Sequence, residues 1–105
     1  MISEAEVLSR IKKVVLQHEP SAKIYLYGSR ARGDARPDSD WDLLILLNRD
    51  SITHEQEETI RYPLYDVELE AGEVFSAIFY PEKEWNKKHS VTPFYENVMR
   101  EGKLL

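Results

Sequence analysis

Asp40 and Asp42 flank Trp41 at the head of the apolar run Trp41 to Leu47. In an extended strand, residues two apart project to one face with Cα atoms roughly 6 to 7 Å apart, so the two carboxylates converge. At an effective dielectric of 20 such a pair repels by on the order of 3 kcal/mol, and keeping both members ionised requires compensation. A hard divalent cation supplies it. Magnesium prefers one or two carboxylates together with phosphate oxygens of a substrate, which suits metal–triphosphate chemistry better than a closed structural cage. In that chemistry the metal neutralises charge on the transferring phosphoryl group and lowers the pKa of the attacking hydroxyl.

Upstream, Gly28 and Ser29 leave another apolar run at a sharp turn. A glycine lets phosphate oxygens approach the backbone, and Ser29 offers N–H and hydroxyl donors, so the turn is a candidate phosphate cradle. Arg30 and Arg32 follow at once and are expected to grip β- and γ-phosphates through charge-assisted hydrogen bonds. Arg36 lies further along the same stretch, opposed only by Asp34, and is a weaker candidate. His18, His54 and His89 show no ligand spacing and are assigned no role.

These residues need elements to position them. Val7, Leu8, Ile11, Val14 and Val15 recur at helical spacing behind a Ser3–Glu6 capping pair, which predicts a helix over residues 4 to 18. Lys23 to Tyr27 reads as a short strand ending at Gly28, and Ser29 to Ser39 as a functional loop. Trp41 to Leu47 is almost wholly apolar and suits a strand covered on both faces. Thr53 with Gln56 opens a second helix, whose apolar face would be Ile60, Leu64, Val67 and Leu69 and whose weak point is Pro63. Gly72 ends it, and Val74 to Tyr80 forms a third strand. Short helices follow from Pro81 to Lys88 and from Thr92 to near Gly102. Tyr25, Tyr27, Trp41, Phe75, Phe79 and Trp85 are expected in the core, whereas Phe94, Tyr95, Val98 and Met99 suit either core or an interface.

The order helix, strand, loop, strand, helix, strand, helix, helix predicts an α/β (α+β) fold, a small mixed β-sheet flanked by helices. With 105 residues there is room for one core, so residues 1–105 are read as a single domain. The 42% hydrophobic and 31% charged content is ordinary for a soluble protein, and no apolar run approaches the roughly 20 residues of a membrane span. The N-terminal stretch lacks a signal-peptide core, and the chain has no cysteine, so a cytoplasmic location is expected. A net charge of −5 argues against nonspecific, direct nucleic-acid binding.

Each of these pieces is common by itself. Together, Gly28-Ser29, ten intervening residues and Asp40-Trp41-Asp42, with an apolar strand on each side, resemble the signature of the polymerase-β-like nucleotidyltransferase superfamily. The resemblance is nearly literal in GSRARGDARPDSDWDLLILL, residues 28 to 47, and points to the minimal (MNT) members. It extends more loosely to TPFYENVMREG, residues 92 to 102. It implies the nucleotidyltransferase fold and transfer of a nucleoside monophosphate, usually AMP from ATP, to a hydroxyl with two Mg2+ ions. Asp40 and Asp42 match the metal carboxylates, and Gly28 and Ser29 match the phosphate-binding turn. Full enzymes carry a third carboxylate on the next strand, and Ser76 in VFSAIFY stands where it would be expected, with Glu73 and Glu70 as substitutes. Its loss would weaken catalysis more than nucleotide binding. Minimal members are often paired with a HEPN protein, as the antitoxin that modifies a tyrosine of the toxin. The alternative is a nucleotidyltransferase-fold module that neutralises its partner by binding alone. The acceptor, the base and the oligomeric state are left open by the sequence.

Overall fold

A computed structural model describes residues 2–105. Helix α1 spans Glu4–His18, and Ser3 caps it by accepting the Glu6 N–H at 3.1 Å. The Glu6 side chain turns away to Arg10, so only the serine half of the expected capping box forms. Strand β1 spans Lys23–Tyr27, and the four-residue helix α2, Ser29–Arg32, follows immediately. Strand β2 covers Trp41–Leu47 and α3 covers His54–Ala71, opened by a complete Thr53–Gln56 capping box. Strand β3 is Phe75–Pro81, α4 is Glu82–Lys87, α5 is Pro93–Glu101 and β4 is Lys103–Leu104.

The sheet order is β3-β2-β1-β4. Strand β2 runs parallel to β3 and antiparallel to β1, and β4 pairs antiparallel with the far side of β1. The sheet is therefore mixed, with helices on both faces, as the order of elements predicts. Strand alternation sorts the side chains. Trp41, Leu43, Ile45 and Leu47 join Ile24 and Leu26 of β1 beneath α1 and α3. Leu44 and Leu46 face the other way, with Trp85 of α4 and Val98 of α5. Central β2 is thus covered on both sides, and each buried leucine or isoleucine contributes about 1.5–3 kcal/mol.

Helix α3 continues through Pro63 instead of weakening there. The proline removes one helical hydrogen bond at a cost of ~3 kcal/mol. Ile60, Leu64 and Val67, on either side of it, are buried and together outweigh that loss. The expected apolar face is otherwise corrected at one position. Leu69 lies 83% exposed on the opposite side of the helix from that row.

Two elements depart from the expected order. Ser29–Arg32 is helical where a loop is expected, because the Gly28 carbonyl accepts from Ala31 and Arg32 and Gly33 closes the turn with φ 85°. Four residues are too few to show periodicity. Strand β4 exists because the outer edge of β1 offers ladder partners, a nonlocal cause that a two-residue segment does not reveal.

Candidate functional site

The end of β1, the start of β2 and the start of β3 meet at one edge of the sheet. Tyr27 pairs with Asp42, and Asp42 pairs with Ser76, so the three side chains form a row across adjacent strands. The row faces the α4–α5 side, because Asp42 shares the alternation of Leu44 and Leu46. Asp40 lies exposed just before β2.

Gly28 and Asp42 are in intimate contact. A side chain at position 28 would drive its Cβ into Asp42 Oδ2, and the φ of 75° at Gly28 is one that side-chain-bearing residues rarely adopt. Both constraints select glycine. They bring the Gly28-Ser29 turn and the carboxylate of Asp42 to the same point. Ser29 opens α2, where the first N–H groups of a helix have no intrahelical partner.

The electrostatics tie the cluster together. The Asp42 carboxyl is raised above its ordinary value, first by burial and then by the charge of Asp40, while Arg32 pulls it down. Tyr27 is pushed up to about 12 by burial, by Asp42 and by Tyr80. Burial first, and the neighbouring charges second, disfavour the ionised forms at this edge. Arg32 is half exposed and pairs with Asp34 at 3.3 Å and Glu101 at 3.1 Å.

Arg30 occupies a different post from the one expected. Its side chain is only 7% exposed and its guanidinium lies 4.6 Å above the Trp41 ring. It donates to the carbonyls of Pro37 and Ser39 and pairs with Glu4 at 3.1 Å and Glu73 at 3.5 Å. Trp41 faces the α1–α3 layer, so Arg30 lies across β2 from Asp42. In this structure Arg30, expected at the phosphates, holds the loop ahead of Asp40. Arg36 stays exposed on that loop, where its N–H donates to Ser39 Oγ at 2.8 Å.

The model of the nucleotidyltransferase domain family matches residues 8–104. The chain belongs to that family. Solved structures share this nucleotidyltransferase fold. One described as a minimal nucleotidyltransferase is 23% identical, with a TM-score of 0.62, and the match covers 99% of this chain and 97% of that one. A toxin–antitoxin crystal structure with AMP-PNP is 18% identical, with a TM-score of 0.63, over 91% of this chain and 69% of that one. The toxin–antitoxin MntA-HpeT, solved in a mutant form, is also 18% identical, with a TM-score of 0.60, over 100% of this chain and 72% of that one. No curated protein matches significantly.

In this nucleotidyltransferase Glu70 and Glu73, the expected substitutes for a third carboxylate, are otherwise engaged. Glu70 pairs with Arg10 at 2.7 Å, and Glu73 sits beside Arg30. Among the described residues no third acid, histidine or cysteine completes a metal-binding group with the aspartates. Tyr27 is expected in the core from its sequence context, yet it is only half-buried and stands next to Asp42. Its position immediately before Gly28, on the same alternation as Asp42, is the signal that could have found it. No helix among the described residues is long and apolar enough to cross a membrane.

Proposed function

We propose that this chain, a single domain over residues 1–105, transfers a nucleoside monophosphate, AMP from ATP, to a hydroxyl of a partner macromolecule. The observation that carries the reading is the contact of Gly28 with the Asp42 carboxylate, with the charge of Asp40 close enough to raise Asp42. The donor set fits magnesium: two carboxylates, oxygen only, one of them packed directly against the backbone of a bare glycine. Asp40 and Asp42 would hold the ion, which when bound supplies Lewis-acid stabilisation of the phosphoryl charge.

Gly28 and Ser29 would receive the triphosphate at the backbone, and Arg32 would offer it a charge-assisted donor from the rim. The acceptor hydroxyl gives up its proton to solvent and its oxygen bonds to the α-phosphorus as the bond to the β-phosphate bridge breaks, and pyrophosphate leaves. The acceptor is a tyrosine-bearing partner protein of the HEPN kind, in an antitoxin role. Two of the similar folds are toxin–antitoxin structures, one of them with AMP-PNP, which supports that choice of partner and nucleotide. A cytoplasmic site of action accords with the absence of cysteine.

The exposed Ser76 favours a second reading. With a hydroxyl opposite Asp42, the acceptor lacks a carboxylate base, and the chain would neutralise its partner by binding alone. Purified protein, α-labelled ATP, magnesium and the neighbouring gene product separate the readings. Label on the partner that disappears with Asp40→Asn and Asp42→Asn supports transfer. A stable complex without label supports the binding module.

A further inference from the structure

Helix α3 carries two apolar rows on opposite sides. Ile60, Leu64 and Val67 face inward and are buried. Tyr62, Tyr65 and Leu69, at i, i+3 and i+7, face outward at 64%, 47% and 83% exposure. The two tyrosine rings meet edge to face with centroids 6.1 Å apart, so the outer row presents one continuous apolar ridge. A helix whose outer face only meets water is polar there, and single exposed apolar residues need no explanation, but a contiguous row marks an interface.

The charges around the ridge say what covers it. Helix α3 contains six carboxylates and one arginine. Three of the acids are engaged within the chain: Glu57 with Arg61, Glu68 with the Phe75 N–H, and Glu70 with Arg10. Arg61 itself leans away onto Phe79 and the Ala77 carbonyl. By helical spacing Glu55, Glu58 and Asp66 flank the outer row. Glu58 meets only the exposed His54 at 3.7 Å, and Glu55 and Asp66 meet no cation among the described residues. A second copy of the chain would bring like acids together across the ridge, and an anionic lipid surface would repel them.

We propose that the outer face of α3 docks a helix of a different protein, apolar along one row and rimmed by lysine or arginine. The ridge supplies buried aromatic anchors, and the acids select the cationic rim. The surface belongs to the opposite layer of the sheet from Asp42, so the inference stands apart from the nucleotide reading.

The test uses the full chain with a synthetic helical peptide that carries a leucine row flanked by lysines, and a twin flanked by glutamates. Fluorescence anisotropy is expected to show saturable binding of the lysine peptide that weakens with salt, and none of the twin. Tyr62→Ser with Tyr65→Ser and Leu69→Ser should weaken binding by about tenfold or more with an unchanged circular-dichroism spectrum. Glu55→Lys with Asp66→Lys, both at exposed positions, should reverse the preference between the peptides even if the serine variant misfolds. The proposal is overturned by no binding, by equal binding of both peptides, by a charge variant with unchanged preference, or by a wild-type dimer that the serine variant dissolves.

Discussion

Asp42 and Ser76 are direct partners on adjacent parallel strands, with side chains on the same face of the sheet. A carboxylate at position 76 would therefore stand beside the Asp40–Asp42 pair. Ser76→Asp should raise AMP transfer to the partner by about tenfold or more, because a third acid helps hold a second metal and accept the proton of the attacking hydroxyl. The position is exposed, so the fold tolerates the change. Single-turnover label transfer measures it, and an unchanged or lower rate would show that position 76 does not face the chemistry.

Arg30 bridges α2, Trp41 and the carbonyls of Pro37 and Ser39 from a nearly buried position. Removing it takes the donor from the part-buried Ser39 carbonyl, breaks the pairing with Glu73 and strips the cover from the buried Trp41 ring. Arg30→Met should cost about 2–4 kcal/mol in urea unfolding. Arg30→Lys should recover little of that, because an ammonium cannot fork between two carbonyls while stacking on the ring. Full recovery by lysine would mean that charge alone matters at this position.

Most of the fold is legible in the sequence, because local signals agree with tertiary ones. β1 and β2 fall on their expected residues, since an apolar run bounded by a turn is the same signal whether read locally or from the sheet. α2 and β4 are not legible, because their causes are one carbonyl of Gly28 and the open edge of β1. Leu69 departs from its expected face because nine residues at about 100° each carry it half a turn from Ile60, so strict 3.6-residue periodicity already sets it outside the inward row. In the site, the meeting of Gly28 with Asp42 is legible, since the spacing and the turn chemistry are local. The loop-holding role of Arg30 is not, because it depends on where Trp41 points.

The raised carboxyl of Asp42 has a definite sign in stability. The native chain holds this proton more tightly than the unfolded chain, so ionising Asp42 disfavours the fold. The penalty is absent well below the ordinary 3.8 and grows as pH rises from there through the raised native value. Asp42→Asn should therefore gain stability relative to wild type across that window and hold the gain to neutral pH. Urea midpoints of both proteins from acid to neutral pH check this. A wild type that gains on the variant as pH rises would reverse the sign.

Gly28→Ala places a Cβ against Asp42 Oδ2 and forces an alanine into positive φ. The backbone conformation costs about 1–3 kcal/mol, and the displaced carboxylate should lose its place at the phosphate turn. Thermal unfolding and nucleotide binding should both suffer. By contrast Gly33→Ala, at positive φ but with open space around its Cβ, should lower stability while largely sparing binding. Equal losses of binding in the two variants would break the link between Gly28 and Asp42.

The most direct test of the account is calorimetric titration of the purified chain with a nonhydrolysable ATP analogue and magnesium. The account predicts saturable one-to-one uptake that requires magnesium and disappears in Asp40→Asn with Asp42→Asn, a variant that stays folded. No uptake by the wild type, or equal uptake by the double variant, would contradict it.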